Sequence, residues 1–570
     1  MRTDKKYVLG ISYGHHESAV CLTTEDGQWI SLREECLSRV KGDYRFPVKS
    51  ALYLIRSQGV GLSQIMGVCL HEKPLRTWLG HGFTQRLSPD HYRLKAQHLR
   101  SGNLSFETQA KSIFKVETKQ VHYANHYVSH YLNAKAFSKS IGRHFCLVLD
   151  GYGEGASGAL FSGDEISWRE LWRFKVNQSF GLLYAALTDW AGYNGNADEH
   201  KVMALAAYGK PIHRDFIRKH VICGSGAAFE VNKHYFNYDD VTLAGYTTAF
   251  CEVFGEQNDR SIYSDISSSM SKIAADVIAS FQAVIEECVS EIIEEILIDA
   301  RPDTTLLLSG GLFLNVKLVS RITRANPKNR IIVPPSPGDA GSAIGAAHFL
   351  SAKFGWPFQP RADAFCGPKL EPLSDYPHLF ECVQLQDSTA YMYDQLSSGN
   401  AVAVYQGFAE CGPRSLGVRS LFAGLETAES VRNLNELTKK RERFRPIAPM
   451  LSEETLAAPV AVNGSDMMLS RWMGTLVHCD QIVGPSSSAL GNIRHIDGSM
   501  RMQITSGREM KTAGTHISLR SIVDSGMTLG NTSLNIAGDP TVFTPLDLYT
   551  NLRRMGLGGV FADDVYYTVK

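Results

Sequence analysis

The chain has 570 residues, more than one hydrophobic core usually supports, so two or more domains are expected. Its 44% hydrophobic and 20% charged residues exclude a mainly disordered chain. Lys+Arg 58 against Asp+Glu 58 removes the basic footprint of a nucleic-acid binder, and no apolar run reaches bilayer-spanning length, so neither nucleic acid nor membrane is expected as a partner.

Residues 7–12 read as a buried strand, and after the polar turn Gly14-His15-His16-Glu17 residues 18–23 read as its antiparallel partner. Residues 145–150 and 158–161 repeat that hairpin around the tip Gly151-Tyr152-Gly153-Glu154, which points to duplicated halves. Apolar residues at Ile273, Val277, Phe281, Val284, Cys288, Ile292 and Ile296 keep to one helix face and predict a long amphipathic helix over 270–297. A strand at 305–308, the turn Ser309-Gly310-Gly311 and a helix-like stretch carrying Asn315 follow. Pro357, Pro360, Pro368, Pro372 and Pro377 then interrupt the pattern. The expected division is a domain over 1–355, a linker over 356–377 and a second domain over 378–570.

No secretory leader or anchor is read at the start, and 11 cysteines without any Cys-x-x-Cys pair fit reduced thiols in a cytoplasmic protein.

His122, His126 and His130 stand four residues apart, so on a helix their imidazoles share one face and two of them can chelate a metal. Ordinary core or surface histidines are the competing reading. Asp150 at a strand end and Asp339 in Pro337-Gly338-Asp339 are the carboxylates to complete a mixed site, suited to divalent iron or a similar transition metal. His15, in the polar hairpin turn, is placed to meet a phosphate or a reacting hydroxyl. In the C-terminal half Arg414 and Arg419 precede Lys439, Lys440, Arg441, Arg443 and Arg445, a density that invites phosphate; a solvated helix face balanced by Glu436 and Glu442 is the alternative. Ser533 and Asn535, in Asn531-Thr532-Ser533-Leu534-Asn535, offer hydroxyl and amide groups on one side of a probable strand, and Arg501 lies in a further polar cluster with His495, Asp497 and Gln503.

Taken in order, these residues resemble the NodU/CmcH/TobZ O-carbamoyltransferases over essentially the whole chain. The N-terminal matches are Leu9-Gly10, Gly14-His15, Glu34-Glu35 with Arg39 and Lys41, His126 with His130, Asp150-Gly151, Gly310-Gly311 with Asn315, and Gly338-Asp339. The C-terminal matches are Gly412-Pro413-Arg414, Arg419-Ser420, Lys439 with Arg441, His495, Arg501, and Asn531-Thr532-Ser533 with Asn535. The resemblance implies an α/β fold class: a duplicated actin-like (ASKHA) domain followed by a YrdC-like domain. It implies ATP-dependent O-carbamoyl transfer, in which carbamoyl phosphate and Mg-ATP give carbamoyl adenylate and the carbamoyl group passes to a small-molecule hydroxyl acceptor in natural-product biosynthesis.

Carried over residue by residue, the resemblance gives the metal, expected as Fe2+, to His126, His130, Asp150 and Asp339. Carbamoyl phosphate or the adenylate falls to Lys439, Arg441, Ser533 and Asn535, with Arg414, Arg419 and Arg501 on the phosphates. Gly310, Gly311 and Asn315 face a nucleotide in the first domain, and His15 is the expected base. The sequence departs from the family pattern at His16, Cys36, Tyr127 and Val418. Transfer to a protein cysteine or to tRNA and a non-enzymatic actin-like regulator are the competing functions, and an oligomer is compatible with all of them. The absence of paired cysteines and the zero net charge disfavour the first two, and the arginine-rich C-terminal half the third.

Overall fold

The computed structural model describes residues 5–14, 16–74, 106–139, 141–238, 245–298, 300–301, 304–442, 444–445, 447–453, 464–478, 487–506, 517–525 and 527–570. The chain forms two units. The first comprises Met1–Ser31, Tyr44–Leu318 and Lys328–Ala362; the second comprises Leu32–Asp43, Val319–Pro327 and Asp363–Lys570. No helix among the described residues is long and apolar enough to cross a membrane.

Strands β1 (Tyr7–Ser12), β2 (Ala19–Thr24), β3 (Trp29–Arg33), β4 (Ile65–Leu70) and β5 (Val121–Tyr123) form a sheet in the order β3-β2-β1-β4-β5. A second sheet takes β6 (His144–Gly153), β7 (Ala156–Gly163), β8 (Trp168–Phe174), β11 (Thr305–Ser309) and β12 (Ile331–Ile332) in the order β12-β11-β6-β7-β8; β9 (Ile222–Cys223) and β10 (Glu230–Val231) make a separate ribbon. In each sheet the first strand pairs antiparallel with its hairpin partner and parallel with the fourth: β1 with β2 and β4, β6 with β7 and β11. One topology used twice agrees with the duplicated halves expected from the two hairpins.

All six residues of β1 are buried, as a strand covered on both faces requires. Full burial of Val8, Leu9 and Ile11 is worth about 1.5–3 kcal/mol each relative to exposure. Small residues let the Asp339–Lys353 helix approach at backbone contact. A Cβ on Gly10 would lie 2.1 Å from the Ala343 carbonyl oxygen, and one on Gly345 would lie 1.8 Å from that of Ser129. The predicted long helix runs Ser269–Leu297, with Val277, Phe281, Val284, Cys288 and Ile292 buried and Ile273 exposed near its start.

The second unit is built on β13 (Phe380–Val383), β14 (Val402–Tyr405), β15 (Arg419–Gly424), β16 (Ala448–Ser452), β19 (Gln503–Thr505), β20 (Leu529–Ser533), β21 (Gly559–Ala562) and β22 (Val565–Val569), ordered β13-β22-β21-β14-β15-β20-β16-β19. The short β17 (Val477–His478) and β18 (Ser499–Met500) pair apart from it. The division at Ala362/Asp363 falls within the proline-rich segment expected as a linker, and two earlier segments also join this unit. Much of that segment is tied down rather than free, because residues between its prolines bond to 407–411: Gly367 N–H to the Ala409 carbonyl at 2.8 Å and Leu370 N–H to that of Gly407 at 2.9 Å. Against the expectation of wholly reduced thiols, Cys366 and Cys411 form a disulfide there, with Cα atoms 5.6 Å apart.

Candidate functional site

Asn125 caps the helix His126–Ala136, its Oδ1 accepting the N–H groups of Tyr127 and Val128 at 3.1 and 3.2 Å. One turn apart on that helix, His126 and His130 present rings with centroids 4.8 Å apart. Asp150 reaches them from β6 and Asp339 from the first turn of its own helix, where a carboxylate also complements the helix dipole. His126 Nε2 is 3.2 Å from Asp150 Oδ2, and His130 Nε2 is 3.3 Å from Asp339 Oδ1. One ligand atom from each residue falls within 4.8 Å of the others, and all four residues are buried.

The donor set fits a divalent cation. His130 Nδ1 lies 3.1 Å from the Pro337 carbonyl oxygen, which can only accept, so Nδ1 carries a proton and Nε2 is the ring nitrogen left to meet a ligand. That buried Nε2 has no hydrogen-bond partner among the described residues and faces the two carboxylates, a repulsive arrangement unless a cation lies between them. His126 is oriented from behind: Glu72 Oε2 lies 3.9 Å from its Nδ1, and Glu154 Oε1 accepts its backbone N–H at 3.0 Å. Burial opposes charge on His126, and Asp150, Asp339 and Glu72 outweigh it, raising its pKa. Gly153 packs against the ring, since a Cβ there would lie 2.3 Å from His126 Cδ2. His122 is not on this helix face. It lies in β5, and the chain turns at Ala124-Asn125 before the helix begins.

In the second unit Lys439, Arg414, Arg441, Arg445 and Arg501 gather together, whereas Lys440 is exposed. Lys439 is 2% exposed, and its Nζ donates to the carbonyl oxygens of Ser533 and Asn535 and, at 3.1 Å, to Asn535 Oδ1. Burial, then Arg441, Arg445 and Lys41, pull its pKa well below the usual lysine value. Arg441 donates through Nε to Asn435 Oδ1 at 2.6 Å, and Asn435 in turn donates to the Arg445 carbonyl at 3.2 Å. Burial and Arg445 bring Arg441 down to about 9 and Arg414 to about 10, and burial with Arg414, Arg445 and Arg441 depresses Arg501 further; guanidinium groups still carry their charge at neutral pH. Arg501 Nε is buried with no hydrogen-bond partner among the described residues. Like charges gathered in this way repel one another, and a bound anion would relieve that repulsion.

Arg419 is fully buried and pairs with Glu410, Nε to Oε2 at 2.7 Å, instead of facing the other guanidinium groups. Glu410 also accepts the N–H groups of Leu416, Val418 and Arg419, so it shapes the loop that presents Arg414. Gly310 adopts φ +98 with its Cα hydrogen toward the Leu149 carbonyl, where a Cβ would come within 2.1 Å. Gly311 N–H donates to Asp150 Oδ1 at 2.7 Å, and Asn315 exchanges side-chain hydrogen bonds with Gln282. His15 lies outside the described residues. Of the departures, Tyr127 is fully buried beside His126 and Cys36 Sγ lies 3.8 Å from Arg419 Nη1. Sequence reasoning named Arg445 only within a basic run and assigned no role to Glu72, Glu154, Glu410 or Lys41.

The first unit thus carries a buried cluster of two histidines and two aspartates in a topology used twice, and the second an α/β sheet with several cations gathered beside it. Residues 7–348 match the carbamoyltransferase N-terminus and residues 393–568 the carbamoyltransferase C-terminus, so the chain belongs to the carbamoyltransferase family and is an enzyme that transfers carbamoyl groups. It is similar to the uncharacterized protein sll1178 of Synechocystis, 28% identical over 96% of this chain and 94% of that one. It is likewise similar to the nodulation protein NolNO of Sinorhizobium fredii, 28% identical over 96% of this chain and 78% of that one. The 3'-hydroxymethylcephem-O-carbamoyltransferase of Streptomyces clavuligerus is 28% identical over 68% of each chain.

Proposed function

We propose that this protein is an ATP-dependent O-carbamoyltransferase that works in two steps. In the second unit, carbamoyl phosphate and water yield carbamate and inorganic phosphate. A carbamate oxygen then attacks the α-phosphorus of Mg-ATP, giving carbamoyl adenylate and releasing pyrophosphate. In the first unit a small-molecule hydroxyl attacks the carbamoyl carbon; the carbamate ester forms, AMP leaves and the hydroxyl proton passes to a base, for which His15 is the assignment from sequence. Natural-product hydroxyls are the acceptor class, by analogy with the cephem substrate in the name of the Streptomyces relative.

The observation that carries this reading is the cradle of Lys439, Arg414, Arg441, Arg445 and Arg501, whose mutual repulsion a triphosphate together with carbamoyl phosphate relieves. Lys439, Ser533 and Asn535 orient the planar carbamoyl group, and the guanidinium forks hold phosphate oxygens. His126, His130, Asp150 and Asp339 hold one divalent metal, with Fe2+ the assignment from resemblance. Bound there, such an ion supplies a Lewis acid that polarises the carbamoyl carbonyl. The test is to incubate enzyme, ATP, carbamoyl phosphate and a panel of hydroxyl compounds, and to look by mass spectrometry for a carbamoyl adduct together with AMP and pyrophosphate. His15→Ala should still release pyrophosphate while transfer falls by on the order of a hundredfold or more. Adduct formed without ATP, or at the wild-type rate by His15→Ala, would refute the scheme.

A further inference from the structure

Glu154 and Gly155 form the two-residue turn between β6 and β7, and both have positive φ, +46 and +81. Such turns match the twist of the flanking strands and ordinarily take Asn, Asp or Gly, so a long side chain at the first position runs against the backbone's preference. Its carboxylate supplies the compensation. The Glu154 side chain is buried, and its Oε1 accepts the backbone N–H of Lys73 at 2.9 Å and that of His126 at 3.0 Å. Its Oε2 accepts the Asn125 side-chain amide at 2.6 Å, which fixes the orientation of that amide and leaves Asn125 Oδ1 to cap the helix at Tyr127 and Val128.

Three segments of the first unit therefore meet on one carboxylate: the exit from β4, the start of the helix His126–Ala136 and the hairpin tip. Each carries a group that faces the same imidazole. Glu72, next to Lys73, has Oε2 3.9 Å from His126 Nδ1, and Asp150, on the strand that leads to the tip, has Oδ2 3.2 Å from His126 Nε2. Gly153, beside Glu154, packs against the ring edge. Glu154 itself contributes no ligand atom to the cluster of His126, His130, Asp150 and Asp339.

We infer that Glu154 is a positioning residue for the metal site of the first unit, locking His126 between Glu72 and Asp150 by holding all three segments at once. The inference rests on the reading, proposed above, that the His126, His130, Asp150 and Asp339 cluster binds one divalent metal. A negative group at the start of this helix also complements its dipole, and a carboxylate with two acceptor oxygens is what three converging donors require. An amide in place of the Glu154 carboxylate cannot serve them, because whichever way it turns its NH2 meets an N–H.

The experiment uses the full chain with Co2+ as the probe, its affinity measured by competition against a chelator and its ligand arrangement by visible absorption. Glu154→Gln sets donor against donor at Asn125, and Asn125→Asp sets carboxylate against carboxylate while keeping the helix cap. Each should lose about 10–100-fold in Co2+ affinity and alter the spectrum. Asn125→Asp/Glu154→Gln reverses the polarity of that one bond and restores it, so affinity should return to within a few-fold of wild type, with the wild-type spectrum. Single variants of lowered thermal stability whose folded protein kept wild-type affinity and spectrum would reduce Glu154 to a merely structural role and overturn the inference. A folded double variant that bound no better than the singles would overturn it too. If neither single variant folded, the double variant would decide alone, full affinity and spectrum supporting the inference and a loss overturning it. Wild-type protein that bound no more Co2+ than His126→Ala/His130→Ala would remove the metal reading and the inference together, whereas tight binding shared by wild type and both single variants would overturn the inference only.

Discussion

The backbone N–H of Gly311 donates to Asp150 Oδ1 at 2.7 Å, while Asp150 Oδ2 lies 3.2 Å from His126 Nε2. One carboxylate thus joins the glycine turn after β11 to the cluster of His126, His130 and Asp339. Asp150→Asn keeps an acceptor for Gly311 and removes the negative charge. Purified Asp150→Asn and His126→Ala/His130→Ala proteins are expected to lose stoichiometric metal in elemental analysis while remaining folded; full metal content in either would remove these residues from the ligand set.

Gly153 offers a steric test of the same cage. A methyl group at that position would lie 2.3 Å from His126 Cδ2, so Gly153→Ala must push the imidazole out of line or bend β6. Overpacking of this kind costs about 1–3 kcal/mol, and second-shell disturbance typically costs about 10–100-fold in metal affinity. Competition against a chelator should show that loss, and wild-type affinity in Gly153→Ala would mean that the ring has room to spare.

The depressed pKa of Lys439 sets a pH dependence. In the folded protein burial and the neighbouring cations hold it below 10.5, its unfolded value, so the folded state binds fewer protons between the two pKa values, and this group's contribution to stability rises with pH across that window. Anion binding runs the other way: it favours the charged ammonium, is complete below the depressed pKa and weakens as pH rises through it. The thermal stabilisation by added pyrophosphate should therefore shrink as pH is raised through that depressed value. Lys439→Met should have a smaller, flatter response, and a stabilisation that grows with pH would contradict the assignment.

Glu410 is a structural prediction. It satisfies three backbone N–H groups and the Arg419 guanidinium in the interior, so Glu410→Ala leaves a buried cation without its counter-charge and several donors without that acceptor. Breaking such a pair from one side costs about 3–5 kcal/mol. Chemical denaturation should show a loss of that order, with Glu410→Gln losing less; a change below about 1 kcal/mol for Glu410→Ala would show that the loop tolerates its removal.

Local signals carried much of the fold and some of the site. The two hairpins were legible because buried strands and glycine-rich tips are short-range features, and the 269–297 helix because its apolar period persists over many turns. His122 misled because four-residue spacing takes no account of where a helix starts; Asn125, a good N-cap, was the signal that the helix begins after it. Whether Lys439 faces solvent or lies under Ser533 and Asn535 depends on a strand ninety-odd residues away, which no periodicity encodes. Glu154 and Glu410 look like ordinary acids beside turns until the backbone donors they satisfy are seen.

The most direct test of two-step carbamoyl activation is the exchange of labelled pyrophosphate into ATP with carbamoyl phosphate present and no acceptor. The account predicts exchange by the wild-type protein, its loss in Lys439→Ala and Arg441→Ala, and its persistence in His126→Ala/His130→Ala, whose lesion lies in the first unit. Absence of exchange in the wild type, or unimpaired exchange in Lys439→Ala and Arg441→Ala, would contradict it.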